Sequence, residues 1–339
     1  MRTTRALAAI AAIPLALGLA AAPAHAHGLG GDDPTNVETS IVAIEPARHG
    51  ISVEVVDLGR SLELRNATRS EVVVLGYEGE PYLRVGSDGV FENRRSPASY
   101  QNRTLDPPGE VPARYDAQAA PEWRRTGNGT TVRWHDHRAH YMGSGSFPGT
   151  RTFTVELTVD GEPVVARGAL RWVTAPPWWP WALATAALGV VVVLAARRAY
   201  RVTAVLMLTA LVVGEVVHVA GSWRAVADTF AGRAGAQALS LGAVALGLIA
   251  AHRAVRAPVD RAAPWVLVAA VALLVAGGFG DVSAWYRSQL PSDLAAPVVR
   301  GLVALSFGGS AGLIAASATR LAPPPEPAGA QAAADRATS

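Results

Sequence analysis

The chain has 339 residues, half of them hydrophobic, with a formal net charge of +3 and no cysteine. So small a net charge excludes the strong basic footprint of a nucleic-acid-binding protein. The lack of cysteine excludes disulfides and a blue-copper centre, which requires a thiolate ligand. The length is enough for two folded units, and apolar residues dominate from about 178 to 320. The composition therefore predicts a polar domain followed by a membrane domain.

Residues 1–26 are predicted to be a secretory signal peptide. A positively charged start, an apolar stretch and an A-x-A cleavage motif follow one another in this segment. Cleavage after Ala26 makes His27 the first residue of the mature chain, whereas an alternative cut after Ala24 exposes His25. With either cut, the mature extracytoplasmic chain begins with a histidine.

The polar half of the chain consists of short β-type runs separated by turn signals. Ser61–Asn66 and Arg151–Val159 alternate apolar and polar residues, which is typical of strands with one buried face. The other predicted strands are Val37–Ile44, Ile51–Leu58, Glu71–Tyr77, Tyr82–Val85, Thr131–His135 and Val164–Val173. Long loops are expected from Phe91 to Arg125, with at most a weak strand at Val111–Tyr115. Residues 27–174 are thus predicted to form an antiparallel β-sandwich of immunoglobulin or cupredoxin type.

A cluster of candidate metal ligands lies at Trp134-His135-Asp136-His137-Arg138-Ala139-His140-Tyr141-Met142. Side chains alternate in a strand, so His135 and His137 are expected on one face, about 6.5–7 Å apart. Asp136 would then point away, where it would accept a hydrogen bond or support neighbouring structure. With the amine and ring of His27, the histidine pair forms a nitrogen-rich set that suits Cu(II), with zinc as the competing ion.

Two further side chains of this cluster have an open role. His140 and Met142 follow closely, and a thioether beside histidines favours Cu(I). They form either a second ligand set or part of a loop that packs on neighbouring aromatic rings.

The ligand pattern resembles that of histidine-brace copper proteins. CopC-type periplasmic copper carriers are similar through an N-terminal histidine and a later Asp-x-His, matched here by His135-Asp136-His137 or by Asp136 and a shifted histidine. The amino-terminal cupredoxin domain of the particulate methane or ammonia monooxygenase B subunit is similar through an N-terminal histidine, a later His-x-His and following membrane helices. The resemblance implies His27, His135 and His137 as copper ligands. It covers ligand pattern and domain order alone, so oxygenase activity is not carried over.

Five apolar segments follow, each near the roughly 20 residues that span a bilayer. They cover residues 178–197, 202–220, 234–251, 264–281 and 297–318, within a predicted membrane domain at 178–320. Arginines after the first and third segments place those ends in the cytoplasm by the positive-inside rule. The prediction is a multi-pass plasma-membrane protein with an extracytoplasmic N-terminal domain and a disordered cytoplasmic tail at residues 321–339.

Three ionisable residues belong to the apolar segments. Glu215 and His218 share a helix face, and Asp281 closes the fourth segment at a similar outer depth. Ionisable groups inside a membrane are costly and usually functional. They form either a metal or proton site that receives copper, or an ordinary arrangement in which Glu215 and His218 pair with each other or with Arg224.

The leading functional hypothesis is a membrane-anchored copper-binding protein for copper acquisition, delivery or resistance, together with other membrane copper-handling subunits or as a homo-oligomer. A second hypothesis is the copper subunit of an oxygenase-like membrane complex. It is less favoured, because the sequence has no haem, flavin or iron–sulfur motif to supply electrons. A third is a non-metal domain that docks another envelope protein.

Overall fold

The structure is a computed structural model that describes residues 34–104, 109–143, 145–223 and 230–321. The predicted signal peptide, His27 and the tail after Leu321 lie outside the described residues. The chain forms two compact units. The β-unit contains the described residues up to Pro176 together with Tyr286–Pro291, and the helical unit contains the described residues from Pro177 to Trp285 and from Ser292 onward.

The β-unit has two antiparallel sheets. Its strands are β1 Val37–Glu45, β2 Ile51–Val56, β3 Ser61–Asn66, β4 Val72–Leu75, β5 Pro81–Gly86, β6 Gly89–Asn93, β7 Trp123–Gly127, β8 Thr131–His135, β9 Thr150–Val159 and β10 Glu162–Trp172. One sheet has the order β1-β10-β9-β4-β5-β6-β7, and the other has the order β2-β3-β8. The prediction of an antiparallel β-domain is therefore confirmed.

Strand alternation decides which side chains are buried in the β-unit. In β9, Phe153, Val155 and Leu157 are buried while Glu156 between them is exposed. Leu62, on β3 of the other sheet, belongs to the same hydrophobic cluster. The two sheets therefore share one core, which is the main source of stability in a unit without disulfides.

The region expected to be one long loop contains regular structure. A short helix, α1 at Pro97–Gln101, begins with Ser96 as its N-cap and has proline in its first turn. β7 closes the large sheet against β6, with an ion pair of 2.7 Å between Arg124 and Glu92. Val111–Tyr115 is not a strand. The expectation of loops throughout was wrong, because β7 is mostly exposed and is defined by pairing with a strand some thirty residues earlier in the chain.

The helical unit is built from α2 Trp179–Ser222, α3 Phe230–Ala236, α4 Ala238–Arg256, α5 Val259–Leu273 and α6 Ala296–Leu321. A π-helical segment, Leu274–Phe279, continues α5, and a 3₁₀ turn follows at Val282–Trp285. Among the described residues, four helices are long and apolar enough to cross a membrane: α2, α4, α5 with its π-helical segment, and α6. The helical unit is therefore typical of a membrane protein.

The first of these helices is a hairpin. Its backbone leaves the helical conformation at Ala199 (φ −147°, ψ 66°). Before Ala199, the contacts with α6 run in parallel: the hydroxyl of Thr185 donates to the carbonyl of Ala304, and the carbonyl of Ala196 accepts from Arg320. After Ala199 they run antiparallel, with successive contacts Tyr200 to Ser317, Met207 to Gly309 and Gly214 to Leu305. The two arms of α2 thus correspond to the predicted segments 178–197 and 202–220.

Glycines of α6 allow this close packing. A Cβ placed on Gly308 would lie 2.6 Å from the backbone oxygen of Thr185. We therefore expect Gly308→Ala to lower the free energy of unfolding by about 1–3 kcal/mol, because the backbone at this contact has no room to shift. Thermal unfolding of the full-length protein in detergent measures the effect.

The matched control is Gly242→Ala on α4, where an added Cβ meets no atom within 4 Å. Its helix propensity predicts a neutral or slightly stabilising change, of at most about 1 kcal/mol. Equal effects of the two substitutions would show that the contact between α6 and α2 does not limit stability.

Candidate functional site

The predicted histidine pair lies at the end of β8. His135 is the last residue of the strand, but His137 lies in the turn that follows. The N–H groups of Ala139 and His140 both donate to the carbonyl of Asp136, at 3.1 and 3.2 Å. The prediction that both histidines lie on one strand face was wrong, because the backbone turns at Asp136.

The turn nevertheless brings the two imidazoles together. The ring centroids of His135 and His137 are 4.6 Å apart and the rings are nearly perpendicular, at 88°. At this distance, one ion could contact a nitrogen of each ring.

Each ring is oriented by a backbone carbonyl. Nδ1 of His135 is hydrogen-bonded to the carbonyl of Arg60, and Nε2 of His137 is hydrogen-bonded to the carbonyl of Gln101 at 2.9 Å. A carbonyl only accepts, so each of these nitrogens carries the ring proton. The lone pair of each neutral ring is therefore on the other nitrogen, Nε2 of His135 and Nδ1 of His137.

Those two nitrogens are buried and make no hydrogen bond in the described part of the chain. Buried polar atoms in folded proteins almost always have a partner, and an exception calls for an explanation. Burial lowers the pKa of His135, although the hydrogen bond to Arg60 acts in the opposite direction. A lowered pKa keeps this ring neutral, which is the form that binds a metal ion.

Asp136 holds the turn in place. Its fully buried carboxylate accepts hydrogen bonds from Nε1 of Trp134 at 2.9 Å and from the guanidinium of Arg138 at 2.8 and 2.9 Å. The backbone N–H of Arg138 donates to it as well, at 3.0 Å. The prediction that Asp136 supports neighbouring structure as a hydrogen-bond acceptor is confirmed.

Tyr77 supports the turn from the loop after β4. Its hydroxyl oxygen accepts the backbone N–H of His137 at 3.0 Å, and the guanidinium of Arg138 lies 4.9 Å from its ring centroid. Burial raises the pKa of Tyr77, so the hydroxyl keeps its proton and donates it to Asn102. The position of His137 is thus fixed from both its backbone and its ring.

The carbonyl of Arg60 is presented by a tight turn between β2 and β3. Asp57, Leu58 and Gly59 all have positive φ, between 52° and 92°. A Cβ on Gly59 would lie 2.5 Å from Oγ1 of Thr39, so this position requires glycine for space as well as conformation. Because Ser61 pairs with His135 across the sheet, Arg60 comes to lie beside the His135 ring.

The two residues with an open role, His140 and Met142, have different surroundings. The ring of His140 lies 5.3 Å from that of His135, so it belongs to the same cluster of imidazoles. Met142 is 50% exposed. The rest of this loop packs through aromatic residues, with the rings of Tyr141 and Phe147 4.9 Å apart. His27 lies outside the described residues.

Within residues 34–104, 109–143, 145–223 and 230–321, no group of three or more His, Asp or Glu side chains is arranged to hold a metal ion. The described residues therefore contain two oriented nitrogen donors that require at least one further ligand.

Sequence inspection missed the groups that orient the rings. Arg60 and Gln101 act through their carbonyls, which any residue type has, and Tyr77 lies sixty positions before His137. Of the residues that orient the rings or present their partners, only Gly59 is recognisable in the sequence, because a glycine between two strand patterns indicates a turn.

The three ionisable residues of the helical unit are all buried, with 4% of Glu215, 8% of His218 and 7% of Asp281 exposed. Nε2 of His218 lies 3.2 Å from Oδ2 of Asp281. Glu215 and His218 line one small cavity together with Ser306 and Gly277. The structure thus brings all three into one region of the helical unit, with a direct contact between His218 and Asp281.

Comparison of the chain with protein-family models, with curated proteins and with solved structures found no match.

Proposed function

We propose that this chain is a membrane-anchored, extracytoplasmic copper-binding protein that acts in copper acquisition, delivery or resistance. The supporting observation is the pair of buried imidazole nitrogens, Nε2 of His135 and Nδ1 of His137, which make no hydrogen bond among the described residues. Each ring donates its other N–H to a backbone carbonyl, which is the usual arrangement of a histidine that ligates a metal.

The donors fit a copper ion. Two neutral imidazoles supply two nitrogens, and an N-terminal His27 would add an amine and a third imidazole. Nitrogen-rich sets of this kind suit Cu(II), whereas structural zinc sites usually have four ligands in a tetrahedron. His135 and His137 would hold the ion, and Asp136 and Tyr77 would keep the turn in place.

The proposed architecture is a β-sandwich of cupredoxin or immunoglobulin type followed by five membrane spans. Two sheets with one shared core are typical of a sandwich. The reversal at Ala199 supports counting the arms of α2 as separate spans, since a straight helix of 44 residues would be about 66 Å long, twice the thickness of the hydrocarbon core.

Electron paramagnetic resonance of the copper-loaded full-length protein tests this function. The sample is first checked by N-terminal sequencing, and we expect a mature chain that starts at His27 or His25. A type 2 Cu(II) spectrum with coupling to several nitrogens is the expected result. A spectrum dominated by oxygen ligands, a longer N-terminus, or displacement of copper by equimolar zinc would contradict the proposal.

A further inference from the structure

Glu215 has an unsatisfied carboxylate oxygen inside the helical unit. The residue is 96% buried, since 4% of its surface is exposed, and Oε1 makes no hydrogen bond among the described residues. It lines a cavity shared with His218 and Ser306. A buried carboxylate without a full set of partners is expensive in an apolar environment, so a ligand at this oxygen would be strongly favoured.

The helix backbone is adapted to this carboxylate. A Cβ on Gly277 would lie 2.2 Å from Oε2 of Glu215, so glycine leaves the space that the carboxylate occupies. Gly277 belongs to the π-helical segment Leu274–Phe279, and π-helical turns are frequent at functional sites. The carboxylate that has the unpartnered oxygen Oε1 therefore packs through Oε2 against the π-helical segment.

His218 is suitably oriented to act with Glu215. The two residues are three positions apart on one arm of α2 and face the same cavity. Helical bundles that bind pairs of metal ions use glutamate and histidine at this spacing as inward-facing ligands. Nε2 of His218 lies 3.2 Å from Oδ2 of Asp281, so Nδ1 is the ring nitrogen that would bind a ligand while Nε2 contacts the carboxylate.

We propose that the helical unit contains its own binding site for a divalent transition-metal cation, with Glu215 and His218 as ligands and Asp281 as the positioning residue for His218. The two carboxylates contribute −2 and the cation +2, so the occupied site is electrically neutral. A mixed carboxylate and imidazole set suits borderline ions such as Zn²⁺. The small cavity would leave room for water at a remaining coordination position.

Metal analysis of the full-length protein in detergent tests this site. All variants carry His135→Ala and His137→Ala, so that the β-unit pair does not contribute. Zn²⁺ is the probe, and the bound ion is counted by mass spectrometry after gel filtration. We expect one bound Zn²⁺ in this background and at least tenfold weaker binding after Glu215→Gln or His218→Asn. The control is His252→Ala, an exposed histidine of α4, which should leave binding unchanged.

Asp281→Asn tests whether Asp281 positions the His218 ring or is only needed for folding. It should weaken Zn²⁺ binding by about 10–100-fold while one ion still binds at saturation. The visible spectrum of bound Co²⁺ should shift, because the basicity of the His218 ring changes. If Glu215→Gln does not give a monodisperse protein, His218→Asn and the Co²⁺ spectrum decide the question.

The outcomes distinguish this site from the copper site of the β-unit. Absence of Zn²⁺ in the His135→Ala, His137→Ala background, or binding that neither Glu215→Gln nor His218→Asn weakens, overturns the helical site and leaves the proposed copper function standing. If Zn²⁺ still binds at Glu215 and His218 but replacing His135 and His137 does not change copper binding, the proposed copper function is overturned and the helical site stands.

Discussion

Replacing His135 and His137 together by alanine is expected to remove one equivalent of bound copper from the full-length protein. The double variant removes both oriented nitrogens and leaves at most the amine and ring of His27 as nitrogen ligands, a set too small for tight binding. Each single substitution should lower copper affinity by more than the roughly 10–100-fold that is typical of changes to surrounding residues. Competition titration against a chelator of known affinity measures the loss.

Two controls and one further substitution accompany this experiment. His49→Ala changes an exposed histidine of the same unit and should leave copper binding unaltered. Met142→Leu should have no effect, because Met142 is half exposed. His140→Ala decides the open role of that residue: a loss as large as that of the other single substitutions would make it a ligand. If the double variant retained all of its bound copper, the proposed site would be wrong.

Asp136→Ala is expected to cost about 3–5 kcal/mol in the local stability of the β-unit, because it leaves the largely buried guanidinium of Arg138 without its carboxylate. It also removes the acceptor for Trp134. At about 1.4 kcal/mol per tenfold, the amides of β8 should exchange with solvent about 10²–10⁴-fold faster. Hydrogen-exchange mass spectrometry of peptides covering 131–140 measures this directly.

The comparison variant is Asp88→Ala. Asp88 forms an ion pair of 2.8 Å with Arg84, but its side chain is exposed. The expected cost is about 0–1 kcal/mol, since water already solvates both partners. Similar exchange rates in the two variants would mean that the buried pair does not hold the turn.

The role of Asp136 also explains why the prediction that His135 and His137 lie on one strand face was wrong. Strict alternation along Trp134-His135-Asp136-His137 would have turned Asp136 away from the histidines, still on the strand. In the structure the carboxylate is drawn into a buried network with Trp134 and Arg138, and the backbone turns to reach it. Local spacing cannot reveal this, because the strength of a buried charged network depends on what surrounds it.

The sequence predicted the parts of the fold that follow from periodicity and hydropathy. β3 and β8 begin and end where alternation of apolar and polar residues predicted. The apolar helices were predictable because about 20 apolar residues in a row have few other stable environments. The histidine cluster was visible too, since three of the chain's histidines fall within six positions.

Tertiary structure decided what converts that cluster into a candidate site. The carbonyls of Arg60 and Gln101 come from distant segments, and only folding places them beside His135 and His137. In the same way, Asp281 was predictable as a membrane-segment residue, but its contact with His218 depends on how the turn after Leu274–Phe279 packs against α2. Residue types and the periodicity of apolar residues can be read along the chain. Hydrogen-bond partners and histidine tautomers are set by contacts between segments far apart in sequence, so they are decided only when the core assembles.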